Sequence, residues 1–98
     1  MIRHIMLFTL TEKAKQEGLE GVVERIRASA VSMVEAVPGL LKVEVSLNRA
    51  KNSPHDLVFY SEFDSPQSLE AYQGHSAHEA HKQLTAEYVG NPEGVDPF

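Results

Sequence analysis

Residues 40–63 read Leu40-Leu41-Lys42-Val43-Glu44-Val45-Ser46-Leu47, then Asn48-Arg49-Ala50-Lys51-Asn52-Ser53-Pro54-His55-Asp56, then Leu57-Val58-Phe59-Tyr60-Ser61-Glu62-Phe63. The first eight alternate, with Leu41, Val43, Val45 and Leu47 on one side and Lys42, Glu44 and Ser46 on the other, as a half-buried strand near a sheet edge does. The next nine are polar and form a loop. The last seven are rich in aromatic and branched residues and apolar on both faces at their start, which suits a more central strand. Two strands therefore follow one another with no helix between them.

Upstream, apolar residues fall at Leu19, Val22, Val23, Ile26, Ala30, Met33, Val34 and Val37, tracing one face of an α-helix. Val37-Pro38-Gly39 ends it, because proline cannot continue a helix and glycine permits the turn. Before this helix, Thr11 to Gly18 is polar, either a loop or a first helical turn with Thr11 as N-cap. Ile2 to Leu10 is a further strand with both faces largely apolar. Downstream, Ser65 and Pro66 have the chemistry of an N-cap and a first helical residue. That helix carries Leu69 and Tyr72, breaks near Gly74, and resumes through Ala77, Ala80, His81, Leu84 and Tyr88. Gly90 to Gly94 reads as a turn, leaving Val95-Asp96-Pro97-Phe98 for a short fourth strand. Pro97 restricts that strand to an edge. The expected class is α+β, a ferredoxin-like βαββαβ chain with one antiparallel sheet and both helices on one face. Strands one and three, apolar on both sides, then need a cover for the other face. A homodimer with sheets face to face supplies it.

The 98 residues, 42% of them apolar, fit a single domain over 1–98 with little interior to spare for a ligand cavity. A cavity is therefore expected between two chains. With no cysteine, disulfides, thiolate metal sites and cysteine nucleophiles are excluded. Nine Lys+Arg against fourteen Asp+Glu give a net charge of −5, which disfavours nucleic acid and anionic membranes as partners. No apolar run approaches the ~18 residues of a membrane span. The opening apolar stretch is too short for a secretion signal, and a cytoplasmic protein is expected.

Five histidines are the chemically pointed feature, because imidazole exchanges protons near neutral pH. His4 shares a strand face with Met6 and Phe8. It is either a core histidine bonded to a backbone carbonyl or to a neighbour such as Tyr72, or a group facing a cavity. Tyr72 and His78 lie about 240° apart on a straight helix and converge only if the break near Gly74 turns them together. His75, His78 and His81 recur every three residues and fan over roughly a 120° arc, poor geometry for one metal ion. His81 shares its face with Ala77, Ala80 and Leu84, which suits packing, and His55 in its polar loop is expected to be solvated. No metal and no cofactor is expected.

Several short stretches, in this order, resemble the stress-responsive α/β-barrel (Dabb) family. They are Arg3-His4-Ile5-Met6-Leu7-Phe8, Val37-Pro38-Gly39, Ser61-Glu62-Phe63-Asp64-Ser65 and Tyr72-Gln73-Gly74-His75-Ser76-Ala77-His78. The last is similar to the family's Tyr-x-x-His-Pro-x-His segment, with Ser76 in place of proline. The resemblance implies a ferredoxin-like fold dimerising into an α/β barrel. Some plant members look like polyketide cyclases that use a tyrosine and a histidine from this segment. Carried over, His78 would remove an acidic proton from a β-polyketone-like chain and Tyr72 would hydrogen-bond the developing enolate, with His4 a further candidate. The function expected is therefore a homodimer binding a small hydrophobic carbonyl compound with His/Tyr acid–base chemistry. The alternative is a non-catalytic stress-related binding or assembly protein, in which the same residues only lock the helix break. A third reading, an oxygen- or haem-handling enzyme of the wider barrel group, is weakened by the lack of tryptophan.

Overall fold

A computed structural model describes residues 1–96. The chain runs β1 (Ile2–Leu10), α1 (Glu12–Glu17), α2 (Leu19–Ala36), β2 (Leu40–Leu47), β3 (Leu57–Phe63), α3 (Pro66–Gln73), α4 (Ser76–Thr85) and β4 (Val89–Val95). The strands form one antiparallel sheet in the order β2-β3-β1-β4. This is the ferredoxin-like βαββαβ arrangement, with α1 as an added turn. Thr11 does cap that turn, accepting a hydrogen bond from the Ala14 amide at 3.3 Å.

Register sorts the side chains. Across β1 and β3, His4 faces Ser61, Met6 faces Phe59 and Phe8 faces Leu57, while Ile5 faces Tyr60 and Leu7 faces Val58. The first set lies under the helices. There Val22, Val23, Ile26, Ala30 and Met33 of α2 meet Val43, Val45, Leu57, Phe59 and Phe63 in the core. Ile5, Leu7, Val58 and Tyr60 lie on the other face, half-buried with no helix over them. Gly39 makes the turn between α2 and β2 at φ +83°. A Cβ there would stand 2.1 Å from Ser68 Oγ, so both conformation and space require glycine.

Two sequence expectations change. In β2, the pairing shifts between Leu40 and Lys42. Leu41 is the extra residue of a bulge and is 52% exposed, while Leu40 joins Val43 and Val45 in the core. The stretch 90–94, read as a turn, is instead part of β4. Leu7 pairs with Glu93 and Thr9 with Gly90, so β4 carries one extra residue at Asn91-Pro92. Asn91 takes a positive φ of 49°, and its side-chain amide donates to Thr9 Oγ1 at 3.0 Å. A bulge in an edge strand tolerates proline and left-handed asparagine, the same chemistry that a turn uses. The fourth strand thus begins earlier than expected. Pro97 and Phe98, assigned to it from sequence, lie outside the described residues.

Candidate functional site

The helix layer is uneven. α2 packs closely on β2, whereas α4 leans on α2 and stands off the strands. The buried residues of α4 are His81 and Thr85, and neither is a large apolar knob. Leu84, expected on the packing face, is 50% exposed. The space left open is a cavity of about 370 Å³, floored by Met6, Phe8, Leu57 and Phe59, backed by Ile26, and lined by His4, Tyr72, His78 and His81. Its volume is within the range of small-molecule sites. The lip carries the exposed residues Gln73, Lys82, Ala86 and Pro92. The expectation that a cavity must lie between two chains is therefore corrected. This one lies within a single chain, because the broken helix leaves β1 incompletely covered.

That break also brings Tyr72 and His78 together. α3 ends at Gln73 and α4 begins at Ser76, with the His75 imidazole accepting a hydrogen bond from the Ala77 amide at 3.0 Å. Gly74 has φ −107°, and a Cβ there would touch nothing. The His75 cap, rather than glycine's freedom, holds the turn. Across it Tyr72 and His78 stack, with ring centroids 4.0 Å apart and planes inclined at 28°. Tyr72 is buried and also meets Phe63 at a tilt. Burial pushes its hydroxyl up and keeps it protonated. His78 Nδ1 is buried with no hydrogen-bond partner among the described residues. Burial lowers the pKa of His78, helped by Lys82 and His4 and opposed by the Gln73 backbone and Glu79.

His4 has a partner that neither sequence alternative named. Its Nδ1 donates to Asp96 Oδ1 at 2.5 Å. Val95 pairs with Ile5, so the next residue, Asp96, falls beside His4. A carboxylate only accepts, which places the proton on Nδ1 and leaves Nε2 as the second nitrogen. His81 Nδ1 lies 2.8 Å from Ser29 Oγ of α2, and the ring rests at a tilt on Phe59. Burial, with His78 nearby, holds His81 down at about 4. His55 is not solvated as expected. Its side chain is 10% exposed and sits 3.5 Å from Glu93. His75, His78 and His81 do three different jobs, and among the described residues no group of three could hold a metal ion.

The site thus joins a neutral histidine with an unpartnered nitrogen, a protonated tyrosine and a carboxylate-oriented histidine around an apolar cavity. Such a set can accept a proton from a carbon acid and hydrogen-bond the resulting oxyanion. Sequence reasoning missed Asp96 as a site residue. The signal for it is the β1–β4 register, which a bulge hides.

Residues 2–96 match the family model described as the stress responsive A/B barrel domain. No curated protein sequence matches the chain. Among solved structures it is similar to a dimeric ferredoxin-like protein of unknown function from Bacteroides fragilis, with 26% identity, TM-score 0.81, and coverage of 98% of this chain and 93% of that one. A Dabb family protein with a ferredoxin-like fold from Mesorhizobium loti gives 22% identity, TM-score 0.77 and coverage of 99% and 94%. A protein from Arabidopsis thaliana gives 15%, 0.81, and 100% and 94%. Among the described residues no helix is long and apolar enough to cross a membrane.

Proposed function

The chain belongs to the stress responsive A/B barrel domain family, and on that premise we propose that it is a cytoplasmic homodimer that binds a small hydrophobic carbonyl compound and enolises it. The observation that carries this reading is the His78 Nδ1, buried without a partner in a cavity wall and stacked on Tyr72. A buried polar atom left unpaired costs stability, and a ligand proton is the partner it lacks.

In the proposed step, a carbon flanked by carbonyls loses a proton to His78. The C–H electron pair moves into the enolate, and Tyr72 donates a hydrogen bond to its oxygen. His4, oriented by Asp96 with its proton on Nδ1, offers Nε2 as an acceptor for a hydroxyl or enol proton of the ligand. In a longer chain the enolate carbon then attacks a second carbonyl carbon, forming a C–C bond as that C=O π bond opens, and His78 gives its proton to the resulting alkoxide. The test is deuterium uptake at carbon 3 of heptane-2,4-dione, followed by NMR. Wild type should exchange on the order of 100-fold faster than His78→Ala, with ligand binding retained. Equal rates would reject the base assignment. Equal rates with tight binding in both would favour the non-catalytic binding reading, which the stacked, well-held helix break also suits.

The dimer is proposed through the uncovered sheet face. Ile5, Leu7, Val58 and Tyr60 form its apolar centre, and the Lys42–Glu44 pair and Glu62 lie toward its β2 side. The Bacteroides fragilis protein is itself described as dimeric. A sedimentation mass of one chain at micromolar concentration would overturn this assembly.

A further inference from the structure

The cavity holds a second polar position that the enolisation scheme leaves unused. His81 is 7% exposed, yet it lines the cavity rather than the solid core. Its Nδ1 is taken by Ser29, so Nε2, on the opposite side of the ring, is the atom available to a ligand. The ring is held on one flank by Phe59, and Phe59 pairs with Met6, two residues along β1 from His4. His81 therefore stands deeper along the sheet than the His4–Tyr72–His78 group. The offset is about 4.5 Å along α4 and about 6.8 Å along β1. The floor between the two positions is apolar, formed by Met6 and Phe59.

We infer that His81, positioned by Ser29, is a specificity-determining residue that hydrogen-bonds a second oxygen of the ligand. This rests on the carbonyl-binding reading above and assigns to His81 the second of the ligand's two oxygens, which that reading leaves without a partner. With hydrogen bonds of about 2.9 Å at each end, such a pair of oxygens spans the two positions. A ligand with one oxygen leaves one of them unpaired. The imidazole stays neutral at physiological pH. When the Ser29 hydroxyl donates to Nδ1, the ring proton sits on Nε2, as a donor suited to a carbonyl or hydroxyl oxygen.

The experiment compares heptane-2,4-dione with heptan-2-one by calorimetric or NMR titration. Wild type should bind the dione at least tenfold more tightly. In His81→Phe that preference should fall below threefold, and Ser29→Ala, a milder change outside the cavity lining, should lower it partway. In wild type, the ¹⁵N signal of His81 Nε2 should shift with the dione and not with the ketone, a readout independent of any variant's folding. Equal wild-type affinities, an unmoved Nε2 signal or a preference that survives His81→Phe would overturn the role of His81 and leave the cavity reading standing. If neither compound binds wild type, the carbonyl-binding reading falls and this inference with it.

Discussion

The two halves of the helix layer cover the same sheet in opposite ways. α2 is one unbroken helix of 18 residues that sets Val22, Val23, Ile26, Ala30 and Met33 into the core. The α3–α4 half is cut at residues 74–75 and buries Tyr72, His81 and Thr85. The first half fills its space with aliphatic volume. The second leaves space and lines it with polar groups kept from water. The close apolar packing is thus concentrated in one half and the candidate site in the other. Burial serves both: it makes Met33 stabilising, and it makes the imidazoles of His78 and His81 hard to charge.

The sharpest way to break the contrast is to hollow the filled half. Met33 is 2% exposed; Met33→Ala should cost about 2–5 kcal/mol in chemical denaturation while leaving the dione exchange rate per folded molecule unchanged. If exchange falls with it, the halves are not separable.

Acid should strike the other half. His81 sits at about 4 in the folded chain, against 6.5 for the ordinary side chain. Below pH 6.5 the unfolded chain takes up a proton that the folded chain refuses until pH 4. Stability is therefore full above pH 6.5 and declines on acidification across that window, by about 3 kcal/mol at most. His78, also lowered, pulls in the same direction. Denaturation midpoints measured from pH 7.5 to 4 should slope in wild type and flatten in His81→Phe. An identical slope in both would clear His81 as the cause.

The smallest effect on stability should come from the cap that holds the break. His75→Ala removes the acceptor for the Ala77 amide and should cost about 1 kcal/mol. Because that turn sets the Tyr72–His78 stack, exchange should drop by more than the stability loss predicts. Restoring the cap with His75→Asp should recover it; failure to recover would return the break to Gly74.

What was legible in the sequence follows the same division. The α2 periodicity, the Val37-Pro38-Gly39 exit and the β3 run are strong patterns because each residue's role is set by near neighbours and one buried face. β4 was not legible, since Gly90, Asn91 and Pro92 have turn chemistry whether they turn or bulge, and the difference lies in pairing with β1. Leu41 misled for the same reason: alternation placed it inside, and a one-residue slip turned it out. Tyr72 and His78 were legible as a pair conditional on a break. Asp96 and the Ser29–His81 contact were not, because each joins residues more than 50 positions apart through packing that no local pattern encodes. The cavity was mislocated because chain length bounds total interior volume and says nothing of how evenly a broken helix fills it.

The extra residue at Asn91-Pro92 has a consequence for how this site could be lost in a lineage. With it, Ile5 meets Val95 and His4 meets Asp96. Straighten the strand with every residue kept, and the pairing of Thr9 with Gly90 carried straight on would slide Val95 beside His4, with every named side chain still encoded. The acidic partner of His4 is thus specified by a count as much as by an identity. A substitution at Asn91 that refuses the positive φ, and so straightens the bulge, is a mutation that comparing site residues one by one would pass as silent.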